Sequence, residues 1–214
     1  PGVDPGASTR YLGTFVGWYA DKSYQTPFDF TNFESGATAY AKWEDLVEIT
    51  YIDENGVTQT LTEDYTALVP ASSSSTPGAA NSGSSMGVPF TPSDGWYVVS
   101  GKMYYNCSDF NFAGKNVNLI LMDDAWLTFE CNNSEGSAEF GNLTIYAQSL
   151  GKKMGGLSLA LNTANKKLSL NVADKFVVNG GKISADAIET RNAEFNKGSV
   201  YASGEIVIKE TDDL

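Results

Sequence analysis

Two strand-like segments, Asn118-Leu119-Ile120-Leu121 and Asn142-Leu143-Thr144-Ile145, lie 24 residues apart, and Cys107 and Cys131 repeat that interval. Leu119, Leu127 and Leu143 fall on multiples of eight. A chain that returns to one pattern every ~24 residues, with three short strands per return, buries its apolar side by laying each turn on the one before. Equivalent strands then pair ~4.8 Å apart, and the inward side chains form ladders. The spacing therefore predicts an all-β fold of the parallel β-helix (solenoid) type. A β-sandwich is the competing architecture, since it too shows short strands at 8–12-residue intervals, although its strands run longer and end in hairpin turns.

The strands themselves are read from alternation. After Gly95 the apolar segments are 96–99, 117–122, 127–129, 143–146, 157–161, 168–172, 176–178, 183–185, 200–202 and 206–208, separated by Gly, Asn and Asp. In Leu157-Ser158-Leu159-Ala160-Leu161 one face is apolar and the other polar or small. Upstream, residues 14–20, 38–43, 46–52 and 57–62 read as strands. Asn55-Gly56 between the last two supplies the positive φ of a hairpin turn. Residues 70–95 are dominated by Ser, Gly, Pro and Ala and do not alternate. The predicted organisation is a flexible leader over 1–9, a small β module over 10–69, a linker or long loop over 70–95, and the β-helix over 96–214.

Composition narrows the function. The 214 residues carry a formal net charge of −12 and no histidine. A negative field repels phosphate backbones and anionic membranes, so neither nucleic acid nor a lipid surface is an expected partner. Without histidine the chain lacks the commonest general base, the Ser-His and Cys-His nucleophile pairs and the commonest zinc ligand. Two cysteines cannot alone make a four-ligand zinc site, so no metal or other cofactor is expected. No stretch approaches the ~20 apolar residues of a membrane span. The chain begins at Pro1 without an initiator Met, a start compatible with a removed leader.

Within residues 14–43, Phe15, Gly17, Trp18, Tyr19, Phe28, Asp29, Phe30, Tyr40, Ala41, Lys42 and Trp43 match a distinctive pattern. In it the segment resembles the Listeria–Bacteroides repeat, the internalin B-type repeat, although the family's front half is not recognisable here. The segments 95–101, 117–123 and 142–149 look like a repeat region of large surface proteins of gut bacteria, in which such coils follow B-repeats as right-handed β-helices. The resemblance implies a secreted protein displayed on a bacterial cell surface. It also implies adhesion or scaffolding, with a polysaccharide or a host or bacterial surface protein as partner. It implies no catalytic residues.

Alternation places Leu127 and Phe129 inward and Trp126 outward, and Tyr146 outward in its own coil. An exposed aromatic beside Asp123 and Asp124 suits carbohydrate, whose apolar faces stack and whose hydroxyls bond carboxylates. Trp126, Tyr146, Asp123 and Asp124 are thus the candidate ligand-binding residues, and the alternatives to pure adhesion are a carbohydrate-binding module and a β-helix glycosidase or lyase. Asp123 and Asp124 are adjacent, at a strand end where Asp makes turns, which argues against a catalytic pair. Arg191, the only arginine after Arg10, stands in a polar turn-like stretch without a basic groove around it, which argues against a lyase. If coils stack regularly, Cys107 and Cys131 come within disulfide range, and a reduced pair is equally compatible.

Overall fold

The computed structural model describes residues 12–68, 92–106, 111–131, 136–161 and 168–209. The predicted leader, most of the Ser-rich stretch and Cys107 lie outside them. The chain forms two compact units, divided between Glu48 and Ile49. Every regular element among the described residues is a β-strand.

The first unit is built on an antiparallel pair, β1 (Thr14–Tyr19) and β2 (Tyr40–Glu44), with a register shift between Phe15 and Gly17. Its interior is aromatic. Phe15 packs edge-on to Trp18 and Trp43, Trp18 to Phe30, and Phe28 tilts against Phe30 and Phe33. The connection is held locally: the Asp21 carboxylate accepts from the Ser23 hydroxyl and from the Thr26 N–H (2.9 Å), and Asp29 accepts from the Thr31 N–H and hydroxyl.

The second unit opens with a hairpin, β3 (Thr50–Ile52) and β4 (Thr58–Thr60), at the turn the sequence predicts. Gly56 has φ 84°, and the Asp53 carboxylate accepts from the Asn55 and Val57 N–H groups (3.0 and 2.8 Å). Ten further strands follow: β5 (Tyr65–Leu68), β6 (Gly95–Val99), β7 (Lys102–Asn106), β8 (Phe112–Leu121), β9 (Trp126–Cys131), β10 (Gly136–Ala147), β11 (Gly156–Leu161), β12 (Leu168–Val178), β13 (Lys182–Phe195) and β14 (Ser199–Ile208). They form one large curled sheet in which every pairing is parallel. That leaves no place for the antiparallel layers of a β-sandwich.

The registers sort the segments into three rows. Row one stacks 65–68, 95–99, 116–121, 142–147, 175–178 and 192–195. Row two stacks 102–106, 126–131, 156–161, 182–185 and 199–202. Row three stacks 112, 136–140, 168–172, 187–190 and 205–208. From Gly95 on the chain visits the rows in turn. Strands β8, β10, β12 and β14 run through two rows and β13 through all three, with register shifts at the corners. Inward side chains of all three rows meet in one core, including Val99, Leu121 and Ile145, Leu127 and Leu157, and Phe140, Leu170 and Ile188. Burying each such side chain is worth roughly 1.5–3 kcal/mol. Phe112 and Phe140, paired in row three, stack within 8° of parallel at 5.3 Å.

Two expectations change in detail. The 24-residue interval sets Asn118 on Asn142, whereas Asn118 pairs with Thr144 and Asn116 with Asn142, an offset of 26. A slip of two residues preserves which face each side chain takes. Residues 49–68, read as part of the N-terminal module, belong instead to the second unit, where β5 pairs in parallel with β6.

Candidate functional site

Row two presents its outer face through two adjoining lines of side chains. In the first, Lys102, Trp126, Gly156, Lys182 and Ser199 succeed one another across five strands. In the second, the succession is Tyr104, Thr128, Ser158, Ser184 and Tyr201. Their inward neighbours Leu127, Leu157 and Ile183 are in the core, so alternation turns both lines outward.

Trp126 owes its position to Gly156. A Cβ built on residue 156 would lie 1.6 Å from Cζ3 and 2.0 Å from Cε3 of the indole, so the six-membered ring occupies the space any other residue would need. The backbone beneath is fixed by the Trp126 N–H to the Gly101 carbonyl and by the Gly156 N–H to the Ala125 carbonyl, both 2.9 Å. In the second line buried Thr128 shares a 3.1 Å hydrogen bond with Ser158, and Tyr104 and Tyr201 are 54% and 64% exposed. The result is an outward face with one seated aromatic, flanked by two lysines and a line of hydroxyl-bearing residues.

The other candidates do not join it. Tyr146 points outward, as read, but on row one, where Tyr51 of the hairpin and Trp96 enclose it with centroids 4.8 and 5.3 Å away. Burial first, and Tyr51 second, push its hydroxyl up to about 12. It is a packing residue that docks the hairpin. Asp123 bonds a neighbouring coil: its N–H donates to Gln148 Oε1 (3.1 Å), and its carboxylate accepts from Ser149 (2.6 Å). Asp124 takes a left-handed φ of 58°, with its N–H on the Lys153 carbonyl at 2.6 Å. The Asp123 carboxylate and the Asp124 backbone thus serve the turn between rows one and two. The Cys107–Cys131 pairing reaches outside the described residues, since β7 and β9 are matched as far as Asn106 and Glu130.

Row three carries a second feature. A cleft of about 290 Å³ on row three is lined by Glu139, Asn171, Glu189, Thr190, Arg191 and Lys209, among others. Asn171 Nδ2 donates to Glu139 Oε1 at 3.0 Å, Lys209 pairs with Glu189, and Arg191 reaches Asp174 at 3.2 Å. These residues are 32 and 18 positions apart along their line, so no fixed period could have linked them. Tyr104 stands outward between buried Met103 and Tyr105, in an apolar run that hides the alternation. No group of three or more His, Cys, Asp or Glu side chains arranged to hold a metal ion occurs among the described residues. Set against protein-family models, curated proteins and solved structures, the chain matches none of them.

Proposed function

We propose that this chain is a non-catalytic adhesion or scaffolding protein of a bacterial cell surface, in which the three stacked rows form a right-handed parallel β-helix displaying row two as its ligand-binding face. The rod reading rests on the strict return of the chain through three rows, which stacks coil upon coil as solenoids do. The binding reading is carried by one observation: a tryptophan seated on a glycine in a line of hydroxyls and lysines. Sugar rings stack on such an indole, and their hydroxyls exchange hydrogen bonds with Ser, Thr and Tyr. A face of this chemistry binds and orients a chain of sugars, whereas general acid–base hydrolysis needs opposed carboxyl groups about 5–9.5 Å apart across a cleft.

A glycan array probed with the intact protein tests the proposal. Saturable oligosaccharide binding is expected, abolished by Trp126→Ala. Gly156→Ala should weaken it by about tenfold or more, because the new methyl evicts the ring from its seat. Retention of full affinity in both variants would remove row two as the ligand face. Release of shortened oligosaccharides that persists in these variants would overturn the non-catalytic reading.

A further inference from the structure

We propose that the cleft on row three binds a single acidic sugar residue, a hexuronate. This goes beyond the row-two reading: the cleft lies on another row and is built from other chemistry.

The floor is a line of acceptors. Glu139, Asn171 and Glu189 succeed one another on paired segments of row three. Glu139 is held from its own strand and from the next, accepting from the Ser137 hydroxyl and from Asn171 Nδ2, both on Oε1. A carboxylate accepts at two oxygens, so this geometry orients Glu139 while leaving Oε2 for a ligand donor. Asn171 spends its amide donor on Glu139, and its Oδ1 is buried without a hydrogen-bond partner. An acceptor left in that state is costly.

The rim is cationic. Arg191 and Lys209 are 55% and 60% exposed, and each is engaged in an ion pair, with Asp174 and Glu189 respectively. Exposed pairs of this kind are weak and readily exchanged. A guanidinium fork takes a carboxylate through two parallel N–H bonds, a better contact than its single 3.2 Å approach to Asp174. The Lys209 backbone N–H is tied to the Thr190 carbonyl at 2.7 Å, which keeps the lysine at the cleft.

The ligand follows from the two sets together. Acceptors on the floor call for hydroxyl donors, and cations on the rim call for one carboxylate. A phosphate dianion would meet Glu139 and Glu189, and a neutral sugar would leave both cations on their present partners. The volume is at the small end for ligand sites, which suits one pyranose ring rather than an extended chain.

D-galacturonate and its neutral parent galactose, titrated into the intact protein with amide chemical shifts as the readout, form the test. Galacturonate should bind saturably and move the signals of Glu139, Asn171, Glu189 and Arg191, with galactose at least about tenfold weaker. Arg191→Ala should remove that preference, and Glu139→Gln should weaken binding of both sugars. Lys209→Ala provides a second rim variant if Arg191→Ala disturbs the fold. Trp126→Ala should leave the titration unchanged. Equal affinity for the two sugars, shifts confined to row two, or no saturable binding by galacturonate would each overturn the proposal.

Discussion

The two units solve the same problem by opposite means. Between residues 12 and 48 no side chain is fully buried: the aromatic rings lean on one another at a half-exposed interface, and Phe33, Leu46 and Val47 are largely exposed. What fixes this unit is local, with Asp21 and Asp29 gathering hydrogen bonds from residues two to five positions away. The second unit has a long aliphatic ladder, with Leu68, Leu121, Leu143, Ile145, Leu157, Leu168 and Leu170 all at 0% exposure. Its contacts run between coils, so each coil is stabilised by its neighbours rather than by its own turns. A small module without a sealed core depends on ring geometry and turn chemistry, whereas a stack depends on alternation repeated often enough.

The sharpest way to break this contrast is to truncate one phenylalanine in each unit. Phe129 is 0% exposed, and Phe129→Ala should cost the second unit ~3–5 kcal/mol. Phe15 is only half-buried, and Phe15→Ala should cost the first unit less than about 2 kcal/mol. Urea titrations followed by backbone amide signals report the units separately, and equal losses would erase the distinction. A smaller contrast lies inside the second unit. Ile188 and Ile206 are paired in row three and point the same way, but Ile188 is 0% exposed and Ile206, on the last strand, 42%. Ile188→Ala should cost ~2–5 kcal/mol, and Ile206→Ala about half that or less. Phe195 and Ile208 share this exposure at the last coil, whereas Leu68, Met103 and Tyr105 at the first are buried. Parity between the two isoleucines would mean that the last coil is sealed in solution.

Much of this was legible because alternation is a local signal. Alternation marks 157–161, one residue short of β11, and 168–172, the first half of β12. Tyr65–Leu68 and Lys102–Asn106 escaped, the latter because outward Tyr104 and inward Met103 and Tyr105 give a nearly continuous apolar run. Ala173-Asp174-Lys175 interrupts the apolar alternation, yet β12 runs on through it as a corner with a register shift. Coil spacing was legible only approximately, since partners in row one are 31, 22, 26, 33 and 17 residues apart. The direction of Trp126 followed from its neighbours, but its seat on Gly156 is set thirty positions away by register. Tyr146 shows the same limit: alternation turned it outward, and only the tertiary position of the hairpin covers it.

Acid gives the mildest test of the contrast, and its sign is determined by the local hydrogen bonds. The Ser23 hydroxyl first, then the Thr26 N–H, hold the Asp21 carboxyl down at about 2, below its ordinary 3.8. The Thr31 hydroxyl and N–H hold Asp29 low in the same way. A carboxyl whose folded-state value is depressed stabilises the fold fully above the unfolded value, and that contribution is lost as pH falls through the folded one. The first unit should therefore loosen between about pH 4 and pH 2, while the aliphatic ladder, whose burial carries no proton, holds. Asp53, kept low by the Val57 N–H and then by Gln59, extends the same sensitivity to the hairpin turn. Hydrogen exchange at successive pH values should show amides of β1 and β2 losing protection first, those of the hairpin next, and those around Leu119, Leu143 and Phe176 last. Asp21→Asn, which cannot ionise, should flatten the first step by removing the charged acceptor from both states. Loss of protection in the ladder before β1 and β2 would show that the stack, too, depends on ionised side chains.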